Sequence, residues 1–224
     1  MAYKRYPFYD LHLLNRVIMG VMAIPGILCV AGFIHGFMTL QQLHGLAATD
    51  IITQLDTELK SRIALDSLIR ITQISLTGVL GIFFGYWLFY AVRNLVCLYD
   101  EKPHTLKNTL IIFMRMLSCI FLALRTLASM RHRSAPEHHN FVPDSWLLPL
   151  WWLALVGANV SKIVAVYVLL NVDSVARLIE GMIWMSAAYV LYLAMYILTA
   201  ILINEIGYWQ RVNWQSQQDL PAEE

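Results

Sequence analysis

The position that most invites chemistry is Lys162, the only charged residue in the 25-residue apolar stretch 146–170. Asn159 precedes it by almost one helical turn, and Ser161 adjoins it. An ionisable group so deep in an apolar segment is by default a functional candidate, turned toward other helices and paired with them. Its stem is also long enough for the ammonium to reach the nearer end of the segment, eight residues away. Three uses stay open: a cation drawn to the interface, a structural pair, or part of a polar path for an anionic or lipid-like substrate. Arg115 and Arg125 would line such a path with Asn159 and Lys162. No Asp or Glu falls within the apolar segments 17–38, 71–92, 146–170 and 182–204, which speaks against a proton relay.

The seven histidines suggest haem, which needs axial imidazoles facing each other from two helices at matched depth. His12 and His35 sit at opposite ends of one helix, while His44, His104, His132, His138 and His139 lie in connections. The group His132, Glu137, His138 and His139, with two adjacent histidines, lacks metal-site spacing and reads as a solvated loop. There is no G-x-S-x-G elbow, P-loop or H-E-x-x-H pattern. The sequence therefore yields no catalytic set, no metal site and no cofactor. Cys29, Cys97 and Cys119 are scattered without framework spacing. A net charge of +1 and the lack of any Lys/Arg block give no reason to expect nucleic acid as a partner.

The elements that position these residues are membrane helices. Of the chain, 58% is hydrophobic and 14% charged, against about a quarter charged in soluble domains. Each of the four apolar segments reaches the roughly 20 residues that cross about 30 Å of hydrocarbon. One all-α membrane domain over 1–224 is expected, and the first segment reads as an uncleaved span.

A fifth stretch, 110–127, carries Arg115 and Arg125, and basic residues accumulate in cytoplasmic loops. With four spans and a cytoplasmic N-terminus, the inner segments hold 11 basic residues and the outer ones 4; with five spans the division is 7 against 6. We therefore expect four spans, both termini cytoplasmic in a bacterial inner membrane, and 110–127 as an interfacial or re-entrant helix with its polar face in the headgroup plane. A fifth span with inward-facing arginines is the alternative.

Residues 50–70 pair acids with bases at i, i+4: Asp56 with Lys60, Glu58 with Arg62, Asp66 with Arg70. They predict an amphipathic helix, either lying on the outer surface or running on into the second span. In lipid, helices associate where small residues allow close approach. Gly32-x-x-x-Gly36 on the first span and Gly78, Gly81 and Gly85 on the second predict that these two pack together, with Gly32 near Gly78. Trp151, Trp152, Tyr208, Trp209 and Trp214 sit at segment ends as interfacial anchors. Arg93 and Asn94 close the second span, where a cation suits both the helix dipole and anionic headgroups.

The run Trp87-Leu88-Phe89-Tyr90-Ala91-Val92-Arg93-Asn94, followed across a basic connection by Trp151-Trp152 and then Asn159 and Lys162, resembles an uncharacterised bacterial family of multi-pass membrane proteins classed as a domain of unknown function. The resemblance covers about 70–212, with Tyr90 where that family usually has an arginine. It implies the architecture and no activity. Together these readings point to a non-catalytic, helix-packing component of the bilayer, either a homo-oligomer or part of a membrane complex. A small transporter or channel is the alternative.

Overall fold

A computed structural model describes residues 8–44, 57–99, 120–135 and 146–218, and all the secondary structure in them is helical. In chain order the helices are α1 (His12–Leu43), α2 (Thr57–Tyr99), α3 (Ile120–Ser134), α4 (Leu147–Leu170) and α5 (Val175–Gln218). The four long ones are apolar enough to cross a membrane. The described part of α3 has 15 residues, about 22 Å at 1.5 Å per residue.

A seven-residue spacing builds the buried faces. From Leu11, just before α1, the positions Leu11, Ile18, Pro25, Gly32 and Thr39 are buried, as are Asn15, Met22, Cys29, Gly36 and Leu43. The same period runs through Asp66, Gln73, Leu80, Trp87 and Asn94 in α2, and through Val175, Met182, Tyr189, Tyr196, Ile203 and Gln210 in α5. A sustained period of 3.5 keeps one seam of each helix turned toward its neighbours and favours left-handed packing. Outside the seams the helices expose large apolar side chains, among them Ile27, Ile82, Ile163 and Leu170 at 67 to 79%. Such surface is costly in water and costs nothing in lipid.

The helix ends are set locally. Asp10 accepts a hydrogen bond from the His12 backbone N–H, 2.9 Å, at the start of α1, where helical donors have no partners. Ser174 caps α5, its Oγ accepting from the Arg177 N–H. Arg131, His132 and Arg133 crowd the last turn of α3, where the dipole favours cations.

The contacts divide the helices into two compact units. The first takes α1 up to Gly20, α2 from Leu80, α3, α4 up to Trp152 and α5 from Leu198; the second takes α1 from Val21, α2 up to Val79, α4 from Leu153 and α5 up to Ile197. In the second unit Leu43, Val175, Leu178 and Met182 form an apolar cluster with Leu40, Ile63 and Leu169 around it.

Of the two placements for the 50–70 helix, continuation into the second span is the observed one: α2 runs unbroken from Thr57, and 50–56 lies outside the described residues. The early part of 110–127 also lies outside them, and its later part opens α3. The glycine pairing is corrected. A Cβ on Gly32 would stand 2.6 Å from the Tyr189 ring of α5, and one on Gly36 would stand 3.2 Å from Ser186, whereas Gly78 and Gly81 have nothing within 4 Å. The first span therefore turns Gly32 and Gly36 to the last helix, where the Tyr189 ring and Ser186 fill the space they leave. The carboxylate count needs amending too: Asp66, outside the segment 71–92, is 1% exposed inside a candidate span that begins at Ser61.

Candidate functional site

The first unit holds a cluster of amides and ions at the polar ends of α1, α2 and α5. Asn15 accepts from Trp87 Nε1 at 2.8 Å and donates to the Ile203 carbonyl at 3.1 Å. Gly207 leaves room for that amide, since a Cβ there would meet Asn15 Nδ2 at 2.5 Å. Asn94 accepts from the Tyr9 N–H and donates to the Tyr9 carbonyl and to Gln210 Oε1. Gln210 in turn donates to the Ala91 carbonyl and to Ser134 Oγ. Every polar atom of these two buried amides thus has a partner, as a water-poor interior demands. Asn213 and Gln217 donate to the carbonyls of Ser134 and Leu98, completing the ends of α3 and α2.

Beside these amides is a cavity of about 640 Å³. His12, Asn15, Arg131, Asn204, Glu205 and Arg211 form its polar wall; Leu147, Ile201, Gly207 and Tyr208 form the rest. Arg131 donates from Nε and Nη2 to the two oxygens of Glu205 at 3.1 and 2.7 Å, with the Trp209 ring 5.3 Å from its guanidinium carbon. Arg211 binds Asp10, while its Nε is buried without a hydrogen-bond partner. Burial raises the Asp10 carboxyl, but the His12 N–H and Arg211 outweigh it and hold the group below its usual range. Such a wall can bind a group with an anionic centre. Among the described residues no three His, Cys, Asp or Glu side chains converge as metal ligands.

The second unit carries a separate polar interior. Asp66 pairs with Arg70 Nε at 3.3 Å and accepts from Tyr189 OH at 3.4 Å. Gln73 Nε2 donates to Cys29 Sγ, and Thr77 shares a 2.7 Å hydrogen bond with Tyr196. Asn159 donates to the Leu155 carbonyl and accepts from Tyr192 OH at 3.1 Å. The Lys162 ammonium lies 5.1 Å from the centre of the Tyr192 ring, within cation–π range.

Of the residues singled out in the sequence, Asn159 and Lys162 thus converge on Tyr192. Arg125 is exposed on α3, and Arg115 lies outside the described residues. The Arg93 guanidinium carbon sits 4.9 Å over the Tyr9 ring. Asn94 and Trp151 are buried inside the first unit, with Trp151 Nε1 donating to Thr199 at 2.8 Å; Trp152 is half-buried. Sequence reading passed over Asn15, Gln73, Gln210, Arg131 and Glu205. The available signal was that Gln73 and Asn94 share the seven-residue spacing of Asp66 and Trp87.

No curated protein and no solved structure matches the chain significantly. A family described as a domain of unknown function, DUF4328, matches residues 52–207, well over half of the chain. With four long apolar helices around these polar interiors, the protein is a multi-pass membrane protein that belongs to the DUF4328 family.

Proposed function

We propose that the protein is a non-catalytic component of a bacterial inner membrane, a single membrane domain whose helices pack against another copy of the chain. One observation carries this reading. Gly78 is exposed on α2 beside Thr72, Ser75 and Val79, with open space where a Cβ would stand. Thr72 and Ser75 spend their hydroxyls on the carbonyls of Leu68 and Ile71, so this face asks nothing of water. In lipid, a small-residue face earns its place when a second helix comes close. Of the four apolar windows α2 has the least buried, 22% against 44% in α5, which leaves it the most room for a partner. The test is Gly78→Leu, at a position where an added Cβ meets nothing within 4 Å. Proximity between labelled copies in bilayers should fall several-fold while the melting temperature holds. Unchanged proximity removes the reading.

The topology proposed with it has the start of α1 and the end of α5 on the cytoplasmic side. The Asp10–Arg211 ion pair supports this, since it brings those two ends together, and so does the concentration of basic residues in 93–145. Cysteine labelling at 60, 104, 132 and 218 should then report outside, inside, inside and inside. Labelling of 132 from the outside overturns it.

A small transporter or channel is the second reading, with Asn159 and Lys162 in its path. Its support is the polar interior in which Asn159 and Lys162 meet at Tyr192. Vesicles carrying the protein should then pass small anions several-fold faster than vesicles carrying Lys162→Met. Equal rates exclude the path.

A further inference from the structure

The cavity of the first unit sits where the helices around it change from polar to apolar. On α5 the uncharged course through Ile201 and Leu202 gives way to Asn204, Glu205 and Arg211; on α1, Asp10 and His12 precede Leu13; on α4, Leu147 begins the span. Trp146 and Tyr208 are 76% and 64% exposed at the same transition, as aromatic side chains are at headgroup level. Three of its features together point to a ligand. The volume of about 640 Å³ lies within the range of small-molecule sites. Arg211 has a buried Nε–H with no acceptor, and a buried donor left unmatched costs free energy until an acceptor arrives. In its lining Arg131 and Arg211 stand against Glu205 alone, and Asp10, which Arg211 binds, is not part of that lining.

We propose that this cavity binds the phosphate headgroup of an anionic phospholipid, with Arg211 as its main contact and His12 beside it. Arg131 is held by Glu205 and offers its remaining N–H groups from a fixed fork. Leu147 and Ile201 form the apolar wall, continuous with exposed Leu150, along which an acyl chain leaves into the bilayer. That continuity selects a lipid over a free phosphate ester, because a soluble ligand gains nothing from it. The assignment does not depend on whether two copies associate through α2.

The experiment is native mass spectrometry of the full chain in mild detergent, titrated with phosphatidylglycerol. Parallel arms use phosphatidylcholine and soluble glycerol phosphate. One phosphatidylglycerol per chain should be retained, with phosphatidylcholine weaker and glycerol phosphate failing to displace it. Arg211→Gln should weaken retention about ten-fold, the loss of a charge-assisted contact. His12→Gln, at an exposed position where folding is not at stake, should weaken it about two- to three-fold. Arg177→Gln, exposed near the start of α5 and outside the cavity lining, should change nothing. Equal retention by wild type and His12→Gln overturns the site, as does an equal loss in Arg177→Gln, which would mark a general charge effect. Displacement by glycerol phosphate overturns the lipid and leaves a phosphate-ester site.

Discussion

Arg131 and Glu205, 74 residues apart, are joined by two hydrogen bonds of 3.1 and 2.7 Å, with the arginine side chain only 7% exposed. The pair fixes α3 to α5 by geometry as much as by charge, because a guanidinium fork meets a carboxylate in one plane only. Removing one partner leaves the other buried and unmatched. Arg131→Ala or Glu205→Ala should therefore cost about 2 to 4 kcal/mol in detergent unfolding, somewhat below a fully enclosed pair because Glu205 keeps 22% exposure. A double-mutant cycle in which the two losses simply add would show that the contact carries no coupling.

Asn94 is completely buried and satisfies three groups at once: both backbone polar atoms of Tyr9 and Gln210 Oε1. Replacement by Ala or Leu strands all three, at about 2 to 4 kcal/mol. The segment before α1 should loosen at the same time, since Tyr9 is tied to α2 through these bonds and through the Arg93 contact. Faster amide exchange at Tyr9 in Asn94→Ala, measured against wild type, checks this directly. Unaltered protection at Tyr9 would mean that the Phe8–Trp214 stack holds the segment without Asn94.

How much of this was legible follows from what each type of residue signals. The four spans were plain, because apolar length is itself the physical requirement for crossing lipid. The helical approach to the second span was legible in acid–base pairs at i, i+4, of which Asp66 with Arg70 forms as read. Its depth was not, because hydropathy treats Asp66 as a boundary while Arg70 and Tyr189 make its burial tolerable. Asn15, Gln73 and Gln210 carry no charge and raise no alarm in an apolar run, yet they make the interior specific. Their spacing of seven from other buried positions was in the sequence, but hydropathy windows average it away. Arg115 was conspicuous and lies outside the described residues, so the weight laid on 110–127 passes to what α3 does with Arg131.

Asp10 gives a pH signature. Burial raises its carboxyl, but the His12 N–H and Arg211 more than offset this and place it below the ordinary value of 3.8. For a carboxylate lowered on folding, the linked stability is present above the unfolded value and is lost as pH falls through the folded one. The loss therefore belongs below about pH 4. Its size is small, because the Asp10 side chain is 63% exposed and solvent screens the pair. Asp10→Asn should flatten the acid limb of the melting profile and leave the neutral region nearly unchanged. An unaltered acid limb would show that Asp10 titrates alike in the folded and unfolded chain.

Gly32 and Gly78 look alike in the sequence and should respond oppositely to the same change. At Gly32 a methyl group would lie 2.6 Å from the Tyr189 ring, and that ring is held by Asp66 through its hydroxyl, so it cannot simply swing aside. Gly32→Ala should cost about 1 to 3 kcal/mol through overpacking. At Gly78 nothing stands within 4 Å, and Gly78→Ala should fall within about 0.5 kcal/mol of wild type or gain slightly from helix propensity. In a Tyr189→Leu background, which costs stability of its own by taking a partner from Asp66 but vacates the clash, Gly32→Ala should lose less than in the wild-type background, whereas Gly78→Ala should change as little as before. Thermal unfolding of the five variants in one detergent decides the matter: equal effects at the two glycines would mean that Tyr189 does not rest on Gly32.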